Sequence, residues 1–322
     1  MPLLTPELLR RLEQFQLLAA RRAKSSLKGE RRSRARGQSV EFADYRSYVP
    51  GDDFRHLDWN LYARLDRLFL KLFEEERELP VRIFLDASES MTFGEPPKFD
   101  FARQLAAAIG YVALCGFDRV SVIPFPNAAA RTARRTPLPE LERPEASAAL
   151  AEGDARQIAL EHALRNVRGK RSATQFLQNL EALRAGGAAT LNEALRRGAL
   201  EARHAGLAIV LSDFLDPAGY ETGLNALIGR GFQVDCIQIL APEELTPTTF
   251  GDLRLVDSES GAVQEVTFGR FRMKAYQQTV QRFVQRLREF CTGRGIHFFT
   301  AASNTDLRDL LLKQLRQAAV WG

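Results

Sequence analysis

"IFLDASESM" (residues 83–91) joins an apolar run to a cluster of small oxygen-bearing side chains. Its first three residues, with Val81 before them, are typical of a buried strand. Asp86, Ser88 and Ser90 then alternate and can point to one side, while the glutamate between the serines falls out of step and is expected in solvent. Either a helix cap or a metal site explains such a cluster, so the rest of the sequence has to decide between them.

Strand-like and helical runs alternate from Val81 onwards. The strand-like runs are "VRIFLDAS", "DRVSVIPF", "LAIVLSDF", "FQVDCIQIL" and "IHFFTAAS". Helical runs are predicted near residues 99–115, 174–183, 191–204, 219–228, 272–291 and 305–318. Continuous apolar strands that alternate with helices predict an α/β fold, with a doubly wound, mainly parallel sheet covered on both faces. Residues 81–322 form this domain, with insertions at about 129–165, partly helical, and at about 246–268, a β-hairpin.

The chain before residue 81 has a different character. Residues 1–36 are predicted to form an N-terminal helix, with an apolar stripe over 7–27, followed by a basic linker. Residues 37–80 are rich in aromatic and charged side chains and contain the turn signal Pro50-Gly51-Asp52. We expect this segment to form short strands and turns, as a small subdomain that packs on the sheet domain.

The composition is that of an ordinary globular protein, with 45% apolar and 26% charged residues in a chain of 322. The net charge of +5 comes from residues 21–36, which hold eight basic side chains against one acid. Without this segment the chain is slightly acidic, so the whole protein is not built to bind polyanions. The segment itself leaves two interpretations open: a solvated linker, or binding to an anionic polymer or membrane through phosphate contacts.

Three widely spaced cysteines (Cys115, Cys236 and Cys291) form no CxxC or Cys/His cluster. This usage predicts neither a disulfide framework nor a zinc site, and it fits a reducing compartment. The sequence has no signal-peptide pattern, and its apolar runs are too short to span a bilayer. A cytoplasmic protein is therefore expected.

Polar side chains follow several of the predicted parallel strands, where ligands of such sheets bind. Ser212 and Asp213 end the strand "AIVLSDF", and Thr190 lies in the loop "GGAATLNEAL" just before a helix. Together with the Asp86 cluster they offer hard oxygen ligands of low total charge, which suit Mg²⁺ and not zinc. Helix capping by the Asp86 cluster and by Thr190 is the alternative. The predicted metal residues are Asp86, Ser88, Ser90, Thr190 and Asp213.

Asp-x-Ser-x-Ser, then a threonine, then an aspartate at a later strand end resembles the metal-ion-dependent adhesion site (MIDAS) of von Willebrand factor A-type domains. The resemblance implies a bound Mg²⁺, or Mn²⁺ or Ca²⁺ in its place. It also implies that the serines and the threonine bind the ion directly or through water, and that the aspartates bind it directly or orient its waters. An acidic side chain of a protein partner would complete the coordination.

A longer stretch, "YRSYVPGDDFRHLDWNLYARLDRLFLKLFEEE" (residues 45–76), resembles the domain-of-unknown-function 58 family of bacterial von Willebrand A-like proteins. The resemblance continues through "GGAATLNEAL", "LSDFLDP" and "FGDLRLVDSESG" and covers nearly all of residues 37–310. It implies a role as partner of a MoxR-type AAA+ ATPase in the assembly or maturation of a protein complex, with no settled biochemical activity. The family signature comprises Arg46, Pro50, Gly51, Asp52, Asp53, Asp58, Trp59 and Arg64.

The signature residues leave a self-contained folding motif and a partner-binding surface equally open. Arg46 and Arg64 are expected to pair with Asp53 or Asp58, and the indole of Trp59 to anchor the segment on the sheet domain. No catalytic role is predicted for any of these residues.

A protein-interaction module is the predicted function, and a metal-dependent phosphohydrolase that uses Asp86 is the alternative. Ser88 stands where haloacid-dehalogenase-type phosphatases carry a second aspartate, and the chain has no Gly-x-x-x-x-Gly-Lys loop. None of its four histidines has the surroundings of a catalytic triad. We therefore expect no enzymatic activity.

Overall fold

The computed structural model describes residues 3–15, 40–49, 54, 57–75, 78–127, 155–188, 190–247, 251–256, 258 and 262–311. The chain divides into two compact units. Unit 1 comprises Met1–Arg21 and Leu79–Gly322, and unit 2 comprises Arg22–Glu78. The basic segment 21–36 and most of the predicted insertion at 129–165 lie outside the described residues.

Helices and strands follow one another along both units, and β1, α2 and β2 belong to unit 2. In chain order they are α1 (Pro6–Leu12), β1 (Val40–Ser47), α2 (Trp59–Leu65), β2 (Phe69–Glu75), β3 (Pro80–Asp86), α3 (Lys98–Cys115), β4 (Arg119–Phe125), β5 (Val167–Arg168), α4 (Ala173–Glu181), α5 (Leu191–Glu201), β6 (Leu207–Ser212), α6 (Glu221–Gly229), β7 (Gln233–Leu240), α7 (Pro242–Leu245), β8 (Gly251–Val256), β9 (Val263–Phe268), α8 (Arg270–Thr292), β10 (His297–Ala302) and α9 (Leu307–Asp309). Residues 155–163 are also helical. Within the described ranges, no helix has both the length and the apolar character needed to cross a bilayer.

The central sheet of unit 1 has six strands in the order β10-β7-β6-β3-β4-β5. Five of them are parallel, and only the two-residue strand β5 pairs antiparallel, with β4. The predicted α/β fold with a mainly parallel sheet is confirmed.

Both faces of this sheet are covered by helices, which explains why its strands are continuously apolar. In β3, Ile83 and Leu85 belong to one buried cluster, together with residues of α1, α3 and α4. Phe84 points the other way, into a second cluster with residues of α5, α6 and α8. Asp86 is therefore carried by a strand that is held rigidly on both sides.

The N-terminal helix is shorter than the apolar stripe over 7–27 predicts. Thr5 caps α1, and the helix ends at Leu12. Gln14 and Phe15 then donate backbone hydrogen bonds to residues three positions back, which tightens the chain and ends the helix. Residues 16–27 lie outside the described part of the chain.

The predicted β-hairpin at 246–268 is present as β8 and β9. These strands pair antiparallel, from Gly251 opposite Phe268 to Val256 opposite Val263. The hairpin follows α7 and leads directly into α8, so it is an excursion from the sheet domain and adds no strand to the central sheet.

Unit 2 contains a helix that the prediction of strands and turns missed. β1 and β2 pair antiparallel, and α2 lies between them in the chain. Asp58 caps α2, because its Oδ1 accepts hydrogen bonds from the backbone N–H groups of Asn60 (3.0 Å) and Leu61 (3.1 Å). Asp66 ends the helix in the left-handed conformation, with φ of 52°.

Asp58→Ala is expected to destabilise unit 2 by about 1–3 kcal/mol. The change removes the helix cap and also the acceptor of the Tyr45 hydroxyl, which lies 3.0 Å from Oδ2. Trp59 begins the same helix, so its fluorescence during urea unfolding reports the effect. Asp58→Asn is the matched control, since asparagine caps helices as well as aspartate does; an equal loss in both variants would contradict the capping role.

Candidate metal centre

Asp86 and the residues after β6 meet at the carboxyl edge of the sheet, as the parallel arrangement predicts. β3 and β6 are direct neighbours, and Leu85 lies opposite Leu211. Asp86 and Ser212 end these two strands, and both are almost completely buried.

Both carboxylate oxygens of Asp86 accept hydrogen bonds from serines. Oδ1 accepts from the Ser88 backbone N–H at 3.0 Å and from the Ser88 hydroxyl at 2.7 Å. Oδ2 accepts from the Ser212 hydroxyl at 2.5 Å. The Ser212 oxygen in turn accepts from the backbone N–H of Phe214 at 2.9 Å. The Asp86 carboxylate is thus hydrogen-bonded both to the loop that follows β3 and to the end of β6.

These contacts fix the direction of the hydroxyl protons. While Asp86 is ionised, Ser88 gives its proton to this carboxylate, so in the 3.0 Å contact between the Ser88 and Ser90 oxygens Ser90 is the donor. Each serine oxygen that donates to a neighbour keeps lone pairs for another partner. Ser88 and Ser90 are therefore in the state in which a hydroxyl can coordinate a cation.

Thr190 lies in a loop that is bonded to both of the other strand-end loops. The backbone N–H groups of Glu89 and Gly186 donate to the carbonyls of Gly187 (2.8 Å) and Ala87 (2.7 Å), which joins this loop to the Asp86 loop. On its other side, the Leu191 N–H donates to Asp216 Oδ2 at 2.9 Å. The sequence-predicted residues thus come from three adjoining loops.

Helix capping, the alternative explanation of these hydroxyls, is not what the structure shows. The hydroxyl of Thr190 makes no capping hydrogen bond to α5, and Asp216 accepts from the first backbone N–H of that helix instead. The hydroxyl of Ser88 does not cap the short 3-10 helix Glu89–Thr92 either.

Asp213 is held by a lysine that sequence reasoning missed. Lys98 is the first residue of α3 and is only 1% exposed. Its Nζ lies 2.7 Å from Asp213 Oδ2 and 2.6 Å from Glu244 Oε1. Burial by itself lowers the pKa of Lys98, but Asp213 and Glu244 outweigh this effect and the pKa is raised overall. The lysine is therefore a charged ammonium group.

The buried cluster carries more negative than positive charge. The carboxylates of Asp213 and Glu244 face the ammonium group of Lys98, and the charge of Asp213 acts on Asp86 beside it, so the formal charge of these four groups is −2 when all are ionised. Burial, and after it the nearby charge of Asp213, raise the pKa of Asp86 to about 7, although the hydrogen bonds from the serines favour its ionised form. An uncompensated buried charge of this kind is costly.

Mg²⁺ fits this donor set by charge and by ligand type. A divalent cation balances the formal charge of −2, and carboxylate and hydroxyl oxygens are the ligands that Mg²⁺ prefers. Among the described residues, no three His, Cys, Asp or Glu side chains lie close enough together to hold a metal ion. An ion at this edge of the sheet would therefore need hydroxyl ligands as well as aspartates, and the predicted set offers those of Ser88, Ser90 and Thr190.

Three members of the cluster were outside the predicted metal set: Ser212, Lys98 and Glu244. Ser212 follows the same strand as Asp213, so its position was visible in the sequence. The sequence also holds an indication for Lys98, because a cation is unfavourable in the first turn of a helix and needs nearby acids there. The sequence holds no indication for Glu244, since this residue lies 146 positions beyond Lys98 in the chain.

The signature residues are described only in part. Pro50, Gly51, Asp52 and Asp53 lie outside the described residues, and so do the side-chain surroundings of Arg46. Asp58 caps α2, and Arg64 is exposed in the last turn of that helix. The indole of Trp59 is largely exposed and contacts Tyr62 edge-on.

Fold and site together define an α/β protein with a mainly parallel sheet and a cluster of carboxylates and hydroxyls at the carboxyl edge of its central strands. A family model described as "Protein of unknown function DUF58" matches residues 44–285. The chain therefore belongs to the DUF58 family.

Curated relatives come from mycobacteria. "Uncharacterized protein Rv1480" of Mycobacterium tuberculosis and "Uncharacterized protein Mb1516" of Mycobacterium bovis are each 29% identical over 262 residues, which is 81% of this chain and 74% of theirs. A shorter match, 37% identical over 82 residues, is to "Uncharacterized protein MAV169" of Mycobacterium avium, and it covers 26% of this chain and 46% of the relative.

Two solved structures from Bacteroides also match, each over 75% of this chain and 98% of their own. One is an aerotolerance-related membrane protein of Bacteroides fragilis, with a TM-score of 0.38 and 16% identity. The other is the conserved hypothetical protein BatB of Bacteroides thetaiotaomicron, with a TM-score of 0.37 and 15% identity. Likeness at this level carries no conclusion about the site or the function of this chain.

Proposed function

We propose that this protein is a metal-ion-dependent protein-interaction module, with a MIDAS-type Mg²⁺ site in a fold of the von Willebrand A type. One observation carries the proposal: serine hydroxyls and two aspartates from neighbouring strand ends converge in a buried cluster that has an excess of negative charge. The parallel sheet supports it, because ligands of such sheets bind at the carboxyl ends of the strands.

The chain's own residues supply ligands that are mostly uncharged. Asp86 orients the hydroxyls of Ser88 and Ser212, the Ser90 hydroxyl contacts Ser88, and Thr190 stands in a loop that is bonded to the Asp86 loop. Lys98 offsets part of the carboxylate charge. A bound Mg²⁺ would bring the formal charge of the cluster to zero, and a carboxylate of a partner protein would fill a coordination position that these ligands leave open.

Large apolar side chains beside the site favour a protein as the ligand. Phe93 and Leu215 are both exposed. Their backbone N–H groups donate to the Ser90 carbonyl (3.3 Å) and to Asp213 Oδ1 (2.9 Å), so both residues are tied directly to the site. Apolar side chains around a polar centre are typical of protein interfaces.

The proposed partner is a MoxR-type AAA+ ATPase, which the family resemblance implies, in the assembly or maturation of a protein complex. The contact is an acidic side chain of the partner that reaches the bound ion. All three cysteines are free thiols, which supports a reducing, cytoplasmic setting for the interaction.

The proposal gives Asp86 no catalytic role. Both of its oxygens accept hydrogen bonds from serines, and the residue is almost completely buried, which supports a role in holding ligands in place. A phosphohydrolase remains the alternative prediction, and turnover of phosphate esters that disappears in Asp86→Asn would support it. Binding of an anionic polymer or membrane by residues 21–36 is the other alternative, and it would show a steep loss of affinity with salt.

A pull-down with the purified ATPase tests the proposed function. The wild-type chain is expected to capture the ATPase in Mg²⁺ and to lose it in EDTA, and Asp86→Ala is expected to abolish capture in both. Asp252→Ala is the control, because this exposed aspartate of β8 also accepts a hydroxyl hydrogen bond, from Thr267 at 2.7 Å. Capture that is indifferent to EDTA and to Asp86→Ala, with a folded variant by circular dichroism, would refute the proposal.

A further inference from the structure

We propose that Lys98 is a positioning residue that competes with the metal ion for Asp213 and thereby sets the affinity of the site. This inference rests on the proposed metal site and adds a component to it. The ammonium group holds Asp213 when no ion is bound, and it must release or share that carboxylate when an ion binds.

The position of Lys98 makes it an internal cation. Its side chain is 1% exposed, and Nζ contacts two carboxylates from different parts of the chain, Asp213 after β6 and Glu244 in α7. Bonds of this length between ionised groups are the strong kind of hydrogen bond. Lys98 therefore serves as an internal counterion of Asp213.

Both carboxylate oxygens of Asp213 already accept a hydrogen bond, so a further ligand would have to share them with the present donors. Oδ2 accepts from Lys98, and Oδ1 accepts from the backbone N–H of Leu215 at 2.9 Å. Its carbonyl is also fixed, because it accepts from Gln238 Nε2 at 3.1 Å. A cation or a metal-bound water that approaches Asp213 therefore shares the negative charge of this carboxylate with the ammonium group of Lys98 or displaces it.

Glu244 gives Lys98 a second partner that stays in place. While Oε1 faces the lysine, Oε2 accepts from the backbone N–H of Ala241 at 2.7 Å, which fixes the side chain at the start of α7. When Asp213 turns to an ion, the ammonium group keeps Glu244 and is not left unpaired in the interior. Ion binding therefore costs less free energy than it would if Lys98 lost both of its partners. It still weakens one ion pair, so Lys98 helps to set the affinity of the site.

Simple charge repulsion between Lys98 and the ion is the competing explanation. A double variant, Lys98→Met with Glu244→Gln, separates the two. It removes one positive and one negative group, so the formal charge of the cluster stays at −2, as in the wild type. Methionine matches the length of the lysine stem, and glutamine keeps an acceptor for the Ala241 N–H.

Titration calorimetry with MgCl₂ and MnCl₂ on the full chain, freed of metal by EDTA, tests the inference. The double variant is expected to bind Mn²⁺ and Mg²⁺ about tenfold or more tightly than the wild type, because one charge-assisted hydrogen bond no longer has to be given up. Affinity equal to or weaker than that of the wild type would overturn the role of Lys98.

A second pair of variants decides the matter if the double variant does not fold. Glu244→Gln alone leaves Asp213 as the one carboxylate on Lys98, so metal affinity is expected to fall about threefold or more. Glu243→Gln makes the same charge change at the neighbouring residue, which forms no ion pair with Lys98 in the described part of the chain. This variant is expected to bind metal as the wild type does. Equal effects in the two single variants would overturn the inference.

The outcomes separate this inference from the proposed function. If the wild type binds metal and the double variant binds no more tightly, the metal site is supported and the role of Lys98 is refuted. Binding only in the double variant ends the proposed function of the wild-type chain and supports Lys98 as the cation that takes the place of the metal. Binding in neither protein overturns both.

Discussion

Asp86→Asn is expected to make the metal-free protein more stable and to remove its stabilisation by Mg²⁺. Asp86 is completely surrounded by protein, and burial together with the charge of Asp213 raises its pKa to about 7. Asparagine has the same shape without the charge, so the variant avoids a repulsion worth on the order of 1–3 kcal/mol. The lost ligand charge leaves the site unable to hold a divalent ion.

The raised pKa of Asp86 also predicts how the stability of the metal-free protein changes with pH. An aspartate in the unfolded chain titrates near pH 4, so the folded protein binds more protons between about pH 4 and the raised pKa of Asp86, about 7. Stability of the metal-free wild type therefore falls across this window as the pH rises. In Asp86→Asn this part of the pH dependence is expected to be missing, and thermal melts at several pH values will show it.

Thermal melts with EDTA and with Mg²⁺ complete the measurement. Saturating Mg²⁺ is expected to raise the melting temperature of the wild type by several degrees, as expected for a ligand at about 100 times its Kd, and to leave Asp86→Asn unchanged. Asp252→Asn, an exposed site in β8, is expected to respond to Mg²⁺ as the wild type does. A variant of Asp86 that is less stable than the wild type without metal and still responds to Mg²⁺ would contradict this account.

Gly206→Ala is expected to destabilise unit 1 by about 3 kcal/mol or more. Gly206 lies just before β6, and a Cβ atom there would come within 2.1 Å of the carbonyl oxygen of Pro80, the first residue of β3. The obstacle is backbone in the central sheet and not a side chain that can move aside. The Gly206 carbonyl also accepts from the Gln233 N–H at 3.0 Å, so the residue joins the starts of three strands.

Gly229→Ala is the matched control for this prediction. Gly229 ends helix α6, and a Cβ atom there meets nothing within 4 Å. Alanine is expected to leave stability unchanged or to raise it by up to about 1 kcal/mol, because it favours the helix. Urea unfolding of both variants gives the comparison; a loss of similar size in both would show that close approach at Gly206 is not the cause.

The sheet could be predicted because its signal is local and repeated. Strand β3 is apolar on both faces, so Ile83 and Phe84 both had to be buried, and this pattern recurs in β4, β6 and β7. Parallel strands then bring their last residues to one edge, and this placed Asp86 and Asp213 near each other without further information.

What the sequence could not show depends on contacts between distant segments. The ion pairs of Lys98 join residues 115 and 146 positions apart, and no periodic pattern marks such a pair. β5 is two residues long, too short to leave an alternation. Helix α2 was missed because the aromatic residues around it resemble those of strands, although Asp58 and Arg64 are a typical cap and a typical last-turn cation.

The interruption of unit 1 by unit 2 bears on the order in which the chain can fold during synthesis. Helix α1 is synthesised before unit 2, but Leu12 is buried in a core whose members beyond the N-terminal segment begin at Leu79. The hydroxyl of Tyr111 in α3 donates to Glu13 Oε1 at 2.7 Å and ties down the same end of α1. On the ribosome, α1 must therefore wait until α3 has emerged, while the contiguous unit 2 already has all its strands. The larger unit is completed only when two segments separated by roughly sixty residues come together, a slow and non-local step.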